Sequence, residues 1–508
     1  MAGTRLPSPT LTPTTVAIAV GVFAFVARYA VTGAIENDHF VTFTRGLQVL
    51  YGDWPVRDFD DPGFPLSYLV STLTATIFGP SLFVNVLLCV LLLALTSALT
   101  FVLAFRASGN TAAALVASVA TMAVYPRLYN ATKVIVPVVA IWLAWRYADV
   151  PSRGRLVALA FWTAVAFLFR HDYLVYVAAG NVVLLVMCHA SAPRALGAHL
   201  VGYLALSLLC VTPWLVYVQL FQGISEYFAS AFRFVAAEGR RTTAFSLPPM
   251  FLLLVAVPVA GLIISFSRGA RPGRSHLAAA SVILLTLDLV FLRDVLAARV
   301  PDVVAPTAIV AAAIAGRYLS QRAMTNLATV GVIVIGLLVA VQLARKSSSV
   351  STPLEAAGRI GNIARRLRDV SPEIIPNPSM APLITFLSTC TDPDDRVLVA
   401  GFGPEIPALA HRPFAAGLPS WLPGYYEDPA DVNRALARLR RERLGAAVLL
   451  DGTAVVTRLW PALMEAVRNR GFAEYAVPSI DNRMRIWLPH VAGGARHDPD
   501  TDLPCPLR

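Results

Sequence analysis

Glu36-Asn37-Asp38-His39 and, a short helix further on, Gly52-Asp53-Trp54-Pro55-Val56-Arg57-Asp58-Phe59-Asp60-Asp61-Pro62-Gly63-Phe64-Pro65-Leu66 form the stretch on which the reading of this chain turns. Between positions 36 and 61 it holds five aspartates and one glutamate. An apolar run, Val16 to Ile35, precedes it and is long enough to cross a bilayer. Carboxylates at a membrane surface are costly, so a dense group of them there needs a chemical reason.

The rest of the sequence fixes the class. Of 508 residues, 56% are hydrophobic and 14% charged, whereas about a quarter of an ordinary soluble domain is charged. Apolar runs with almost no charge recur from Val16–Ile35 to Thr325–Ala344. They predict an α-helical polytopic membrane domain over residues 1–345, with about 11–13 transmembrane helices. From 346 to 508 the texture is that of a soluble unit, large enough for its own core.

The net charge of +11 sits largely in short loops between apolar runs, where membrane topology accounts for it. We therefore expect no nucleic-acid partner. Five cysteines do not make a disulfide framework. Cys89, Cys188 and Cys210 fall in apolar runs, whereas Cys390 and Cys505 lie in the soluble part and could pair in an oxidising compartment.

Alternate loops differ in composition. One set is short and basic, for example Arg153-Gly-Arg155 and Arg317 to Arg322, as cytoplasmic loops are. The other set carries nearly all the acids of the membrane domain. Pro65–Phe78 is a weak apolar piece, either a short span or an interfacial helix. If it does not cross, there are eleven crossings, and the soluble part shares the side of the acidic loop. That arrangement is the one we expect, with the acidic loop and residues 346–508 extracytoplasmic in a plasma (inner) membrane protein.

Within the loop, Phe40, Phe43, Leu47 and Leu50 recur at helical spacing and Gly52 is a stop, which predicts an amphipathic helix in the interface. Asn37 and Asp38 stand where helix N-caps stand, so Asp38 reads either as a cap or as a base. Asp58, Asp60 and Asp61 have the spacing of oxygen ligands for a divalent cation, the alternative being a solvated turn. Beyond the loop, Arg127 and Lys133 share one acidic-side connection with Tyr129. Arg170-His171-Asp172 marks another, and Arg293 to Arg299 a third. Such arginines either snorkel at the interface or meet an anion.

The order of features after the first span resembles the first extracytoplasmic loop of GT-C glycosyltransferases. These include protein O-mannosyltransferases and lipid A aminoarabinose transferases, which take sugars from polyprenyl-phosphate carriers. The resemblance is carried by Asp38, Gly52, Pro55, Arg57-Asp58 and Pro62-Gly63-Phe64-Pro65, within the catalytic first loop 36–64. It implies a membrane glycosyltransferase moving a sugar from a polyprenyl-phosphate donor to a glycan, lipid or protein acceptor, with inversion. The implied general base is Asp38, with Glu36 as the alternative. Implied donor-phosphate cations are Arg127, Lys133, Arg170, Arg293 and Arg299, and implied sugar or acceptor contacts are Arg57, Asp58, Tyr129 and Asp172. No cofactor is expected beyond the divalent cation that Asp58, Asp60 and Asp61 leave open.

A transporter or flippase for lipid-linked saccharides is the rival. It predicts ionisable residues within several spans, whereas Arg28 and Asp288 are nearly the whole complement here. In the soluble part, strands Val397–Gly401, Pro413–Ala416, Ala446–Leu450, Phe472–Val477 and Met484–Leu488 interleave with helices Pro404–His411, Asp428–Arg443 and Val455–Asn469. That pattern predicts a small α/β accessory domain, folding by itself and without catalytic motifs. Trp421, Tyr425 and Tyr426 read as a packed turn or as a stacking surface for sugars.

Overall fold

The first helix, α1 (Pro13–Ala30), starts where Thr12 accepts a hydrogen bond from the Thr15 amide and Pro13, with no amide proton, takes the first turn. The computed structural model describes residues 12–241, 249–267, 273–289, 299–346, 353–477, 480–490 and 495–506. The acidic loop follows, containing α2 (Asn37–Leu50) and leading into α3 (Pro65–Phe78). Next comes α4 (Leu82–Ser108), opened by the Ser81 side chain and closed by Gly109 at φ 64°. At 1.5 Å per residue it is roughly 40 Å long, ample for the hydrocarbon layer.

The bundle is completed by α5 (Thr111–Ala123), α6 (Ala131–Asp149), α7 (Arg153–Phe169), α8 (His171–His189) and α9 (Pro193–Phe221). After these come α10 (Ile224–Arg241), α11 (Pro249–Phe266), α12 (Arg274–Leu289), α13 (Val300–Tyr318) and α14 (Gln321–Lys346). Among the described residues, six spans are long and apolar enough to cross a membrane: α1, α4, α8, α9, α13 and Leu128–Asp149.

Contacts distinguish the two ends of the bundle. At one end Arg106, closing α4, meets Asp149 at the close of α6 and His276 at the start of α12. Asn110, capping α5, donates to Gln321 and Thr325 at the start of α14, and Arg317 reaches the Gly273 carbonyl. This is the end with the short basic loops. At the other end Arg28 donates to the Pro126 carbonyl, Tyr173 to the Lys133 carbonyl, and Tyr217 to the Pro55 carbonyl.

The weak apolar piece α3 begins and ends at this second end. It lies along α2, where a Cβ on Gly46 would come within 2.7 Å of Ser71 Oγ, and Asn85 in the first turn of α4 donates to the same oxygen at 2.8 Å. Thus α3 does not cross. Among the described residues α1, α4–α9 and α11–α14 run end to end, and the soluble part joins the end that holds the acidic loop.

That part opens with α15 (Pro353–Arg368) and α16 (Ala381–Cys390) and builds one mixed sheet. Its strands are β1 (Arg396–Ala400), β2 (Leu444–Leu449), β3 (Phe472–Val477) and β4 (Asp481–Pro489), in the order β1-β2-β4-β3. The β1–β2 pair is parallel and the other two pairs antiparallel. Helices α17 (Glu405–Leu409), α18 (Pro429–Leu439), α19 (Thr453–Leu459) and α20 (Pro461–Arg468) pack around it. The expected strand at Pro413–Ala416 is reduced to a single bridge from Phe414 to Val397. The single expected helix Val455–Asn469 is two helices, because Pro461 has no amide to donate and Trp460 leaves the helical region (φ −132°, ψ 63°). A hairpin of β5 (Ala495–His497) and β6 (Pro504–Pro506) ends the described chain, and its Cys505 is disulfide-bonded to Cys390.

This α/β unit does not stand apart from the bundle. One hydrophobic core runs from Val134 and Leu184 through Phe40 and Leu47 of α2 to Val397 and Val448. Gln48 pairs with the Phe414 backbone in both directions, at 3.2 and 2.9 Å, and Thr44 donates to the Pro404 carbonyl at 2.7 Å. Helix α2 is therefore clasped between bundle and soluble unit, with Phe40, Phe43 and Leu47 buried and only Leu50 of the expected apolar face exposed.

Candidate active site

Glu36 takes the N-cap position of α2 without a side-chain cap, so Asp38 lies in the first turn and caps nothing. Both carboxylates are exposed. Against this turn packs a short 3-10 turn, Leu128–Asn130, delivered by the extended Pro126-Arg127 link. Arg127 Nε lies 3.4 Å from Glu36 Oε1, and its Nη1 donates to the Tyr129 hydroxyl at 2.6 Å. That hydroxyl faces Asp38.

One helical turn on, Lys133 Nζ stands 5.5 Å from the centre of the Tyr129 ring. It lies within electrostatic range of Arg170, Asp302, Arg299 and Asp38. Arg170, the extended residue between α7 and α8, brings Nε to 2.9 Å from Asp172 Oδ1. Tyr176 donates to the other Asp172 oxygen at 3.2 Å. Arg299, just before α13, is 3.8 Å from Glu238 of α10, and Asp302 is buried one turn later.

Of the residues singled out in the sequence, the fold gathers Glu36, Asp38, Arg127, Tyr129, Lys133, Arg170, Asp172 and Arg299. Arg293 lies outside the described residues. Asp302 and Glu238 complete the cluster and were not among the expected site residues. The costly burial of an acid at the start of a span was the available signal for Asp302.

Chemically, the cluster pairs an exposed carboxylate with several cations held by neighbouring acids and rings. A carboxylate can take a proton from a hydroxyl, and guanidinium and ammonium groups can hold phosphate oxygens.

The other half of the loop makes its own contacts. Arg57 and Asp58 pair with each other at 2.6 Å, while Asp58 also accepts from the Trp54 amide and Arg57 donates to the Gly52 carbonyl. Asp53 is gripped by both terminal nitrogens of Arg396, at 2.6 and 3.1 Å. Asp60 is buried, and burial holds its carboxyl above the usual range against the pull of Arg438, Arg45 and Arg434. Asp61 Oδ1 accepts from the Gly63 and Phe64 amides and the Tyr68 hydroxyl. Its Oδ2 accepts from Tyr227 at 2.6 Å, and Tyr227 also bonds His171. Gly63 sits at φ 109°, and a Cβ there would strike His171 Nδ1 at 2.6 Å, so this turn requires glycine. Among the described residues no three His, Cys, Asp or Glu side chains converge as a metal site would require.

No family model matches the chain, and no curated protein matches it in sequence. Among solved structures it is similar to ArnT from Cupriavidus metallidurans, determined bound to undecaprenyl phosphate. The TM-score is 0.56 at 15% identity, over 95% of this chain and 99% of that one. The expected architecture, a polytopic helical bundle carrying a small α/β unit, is the fold of this chain, and it is similar to that of ArnT over nearly the whole length of both.

Proposed function

We propose that this protein is an integral membrane glycosyltransferase that moves a sugar from a polyprenyl-phosphate donor to a hydroxyl of a glycan, lipid or protein acceptor. One observation carries the reading. In a fold similar to that of ArnT, which was determined bound to undecaprenyl phosphate, the exposed Asp38 carboxylate lies within electrostatic range of Arg127 and Lys133, and Lys133 within range of Arg170 and Arg299. In the reaction Asp38 takes the acceptor hydroxyl proton as that oxygen bonds to the anomeric carbon. The bond from that carbon to the phosphate oxygen breaks, its electron pair stays on the phosphate, and attack from the opposite face inverts the sugar. Lys133, Arg170, Arg299 and Arg127 stabilise the charge that develops on the leaving phosphate. Tyr129 accepts a hydrogen bond from Arg127 and turns its hydroxyl toward Asp38, which orients the guanidinium beside the base. The scheme routes no step through a metal ion.

The proposed location is the plasma (inner) membrane, with site and α/β unit extracytoplasmic. Support comes from the acid-poor basic loops at the opposite end of the bundle and from the Cys390–Cys505 disulfide, a bond that persists in oxidising compartments. The test compares membrane glycolipids and envelope glycans by mass spectrometry in cells with the protein, without it, and with Asp38→Asn. We expect a glycosylated product that needs the protein and is lost in the variant. Identical profiles in all three would overturn the assignment.

A further inference from the structure

We propose that the α/β unit supplies a positioning residue, Tyr425, that sets the donor-phosphate cation Arg299 through Glu238. The inference rests on the reading of Arg299 given above and assigns the appended unit a part in that site.

Helix α10 runs between the loop and the α/β unit and is tied at several points. Tyr227 near its start holds Asp61, Arg233 reaches Asp431 at 3.3 Å, and Glu226 takes Arg434 at 2.7 Å. Near its end Phe234 packs on Tyr425 and Tyr426, with ring centroids 5.2 and 6.2 Å away. One turn later the Tyr425 hydroxyl donates to Glu238 Oε1, while Glu238 Oε2 faces Arg299 Nη2 at 3.8 Å. Arg299 in turn lies within electrostatic range of Lys133.

The turn Trp421-Leu422-Pro423-Gly424-Tyr425-Tyr426 is thus the contact by which the α/β unit reaches the end of α10. Trp421 and Tyr425 are buried, and Gly424 takes a positive φ of 84° to bring the two tyrosines round. The rings are packed, so their use is structural contact rather than an open sugar platform.

A carboxylate that accepts from a fixed hydroxyl has its rotamer set, and it then restrains the guanidinium that faces its other oxygen at 3.8 Å. An arginine held in this way gives up less side-chain freedom when phosphate arrives, which strengthens binding without a further contact to the ligand.

The test uses the full chain in lipid nanodiscs and measures affinity for undecaprenyl phosphate, with undecaprenol as the uncharged control. We expect Arg299→Ala, Glu238→Gln and Tyr425→Phe each to weaken undecaprenyl phosphate binding by about tenfold, while the control and the unfolding midpoint stay unchanged. Adding Tyr425→Phe to Arg299→Ala is expected to have no further effect, since both act on one cation. Wild-type affinity in Tyr425→Phe, or a loss that multiplies with that of Arg299→Ala, overturns the inference alone. Wild-type affinity in Arg299→Ala removes Arg299 from the donor site and this inference with it. A wild-type protein that does not bind undecaprenyl phosphate refutes the parent reading as well.

Discussion

Glu36 and Asp38 stand at the start of α2 with exposed carboxylates beside a cluster of cations, whereas Asp53 and Asp61 of the same loop are enclosed by donors. Asp61 has its oxygens taken by two amides and two tyrosines, and Asp53 has both oxygens on Arg396. Carboxylates of one loop therefore have two uses, decided by what surrounds each. An acid whose oxygens are all taken by fixed donors builds structure. An acid left open beside cations remains available to a substrate.

The sharpest way to break this contrast is Asp38→Asn. It retains size and removes the base, so transfer should fall by about 10² to 10⁴, with the unfolding midpoint unchanged. Turnover close to wild type, with Glu36→Gln inactive, would move the base to Glu36. If both variants stay active, the division of the loop into two uses collapses. Asp61→Ala should act the other way. It strands two amides and two buried hydroxyls, and we expect a loss of about 3 kcal/mol in unfolding free energy, seen as a lowered midpoint.

Lys133→Ala should weaken undecaprenyl phosphate binding by about tenfold or more while sparing the unfolding midpoint, checked by direct titration. Asp53→Asn should cost about 1–2 kcal/mol by weakening the grip of Arg396. Limited proteolysis at the seam between loop and α/β unit would report it; an unchanged digestion rate would remove Asp53 from the docking contacts.

The smallest effect concerns Glu405 of α17, which packs on α2 and is buried. Burial lifts its carboxyl from 4.5 to about 7. The folded state therefore keeps a proton that the unfolded chain releases, so this group costs stability as pH rises from 4.5 to 7 and adds no further loss above. Unfolding midpoints across that window should fall less steeply in Glu405→Gln than in wild type. Equal slopes would show that Glu405 does not titrate there.

Much of the architecture was legible because it rests on local pattern. Apolar runs gave the spans, Gly52 the stop of α2, and acid-poor loops the basic end of the bundle. The gathering of Asp38, Arg127, Lys133 and Arg170 at one end followed from counting crossings once Pro65–Phe78 was taken as non-crossing. What was not legible depends on partners distant in sequence. Nothing near Gln48 indicates Phe414, and nothing near Asp53 indicates Arg396. For that reason the α/β unit, expected to fold by itself, shares its core with the bundle. The aspartates at 58, 60 and 61 left a cation site open in the sequence, because the tyrosine that closes Asp61 sits on α10. The cysteine pairing depended in the same way on a contact between α16 and the final hairpin.

The clasp between Gln48 and Phe414 has a consequence for how the protein is made. Its two sides are 366 residues apart. At synthesis rates of about 5–20 residues per second, the acidic loop waits roughly 20 to 70 seconds for its partner. Through that interval Phe40, Phe43 and Asp60 lack the cover they have in the finished molecule. Loop and α/β unit are thus a late assembly step, and a newly made chain stalled before residue 414 would be a natural client for membrane quality control.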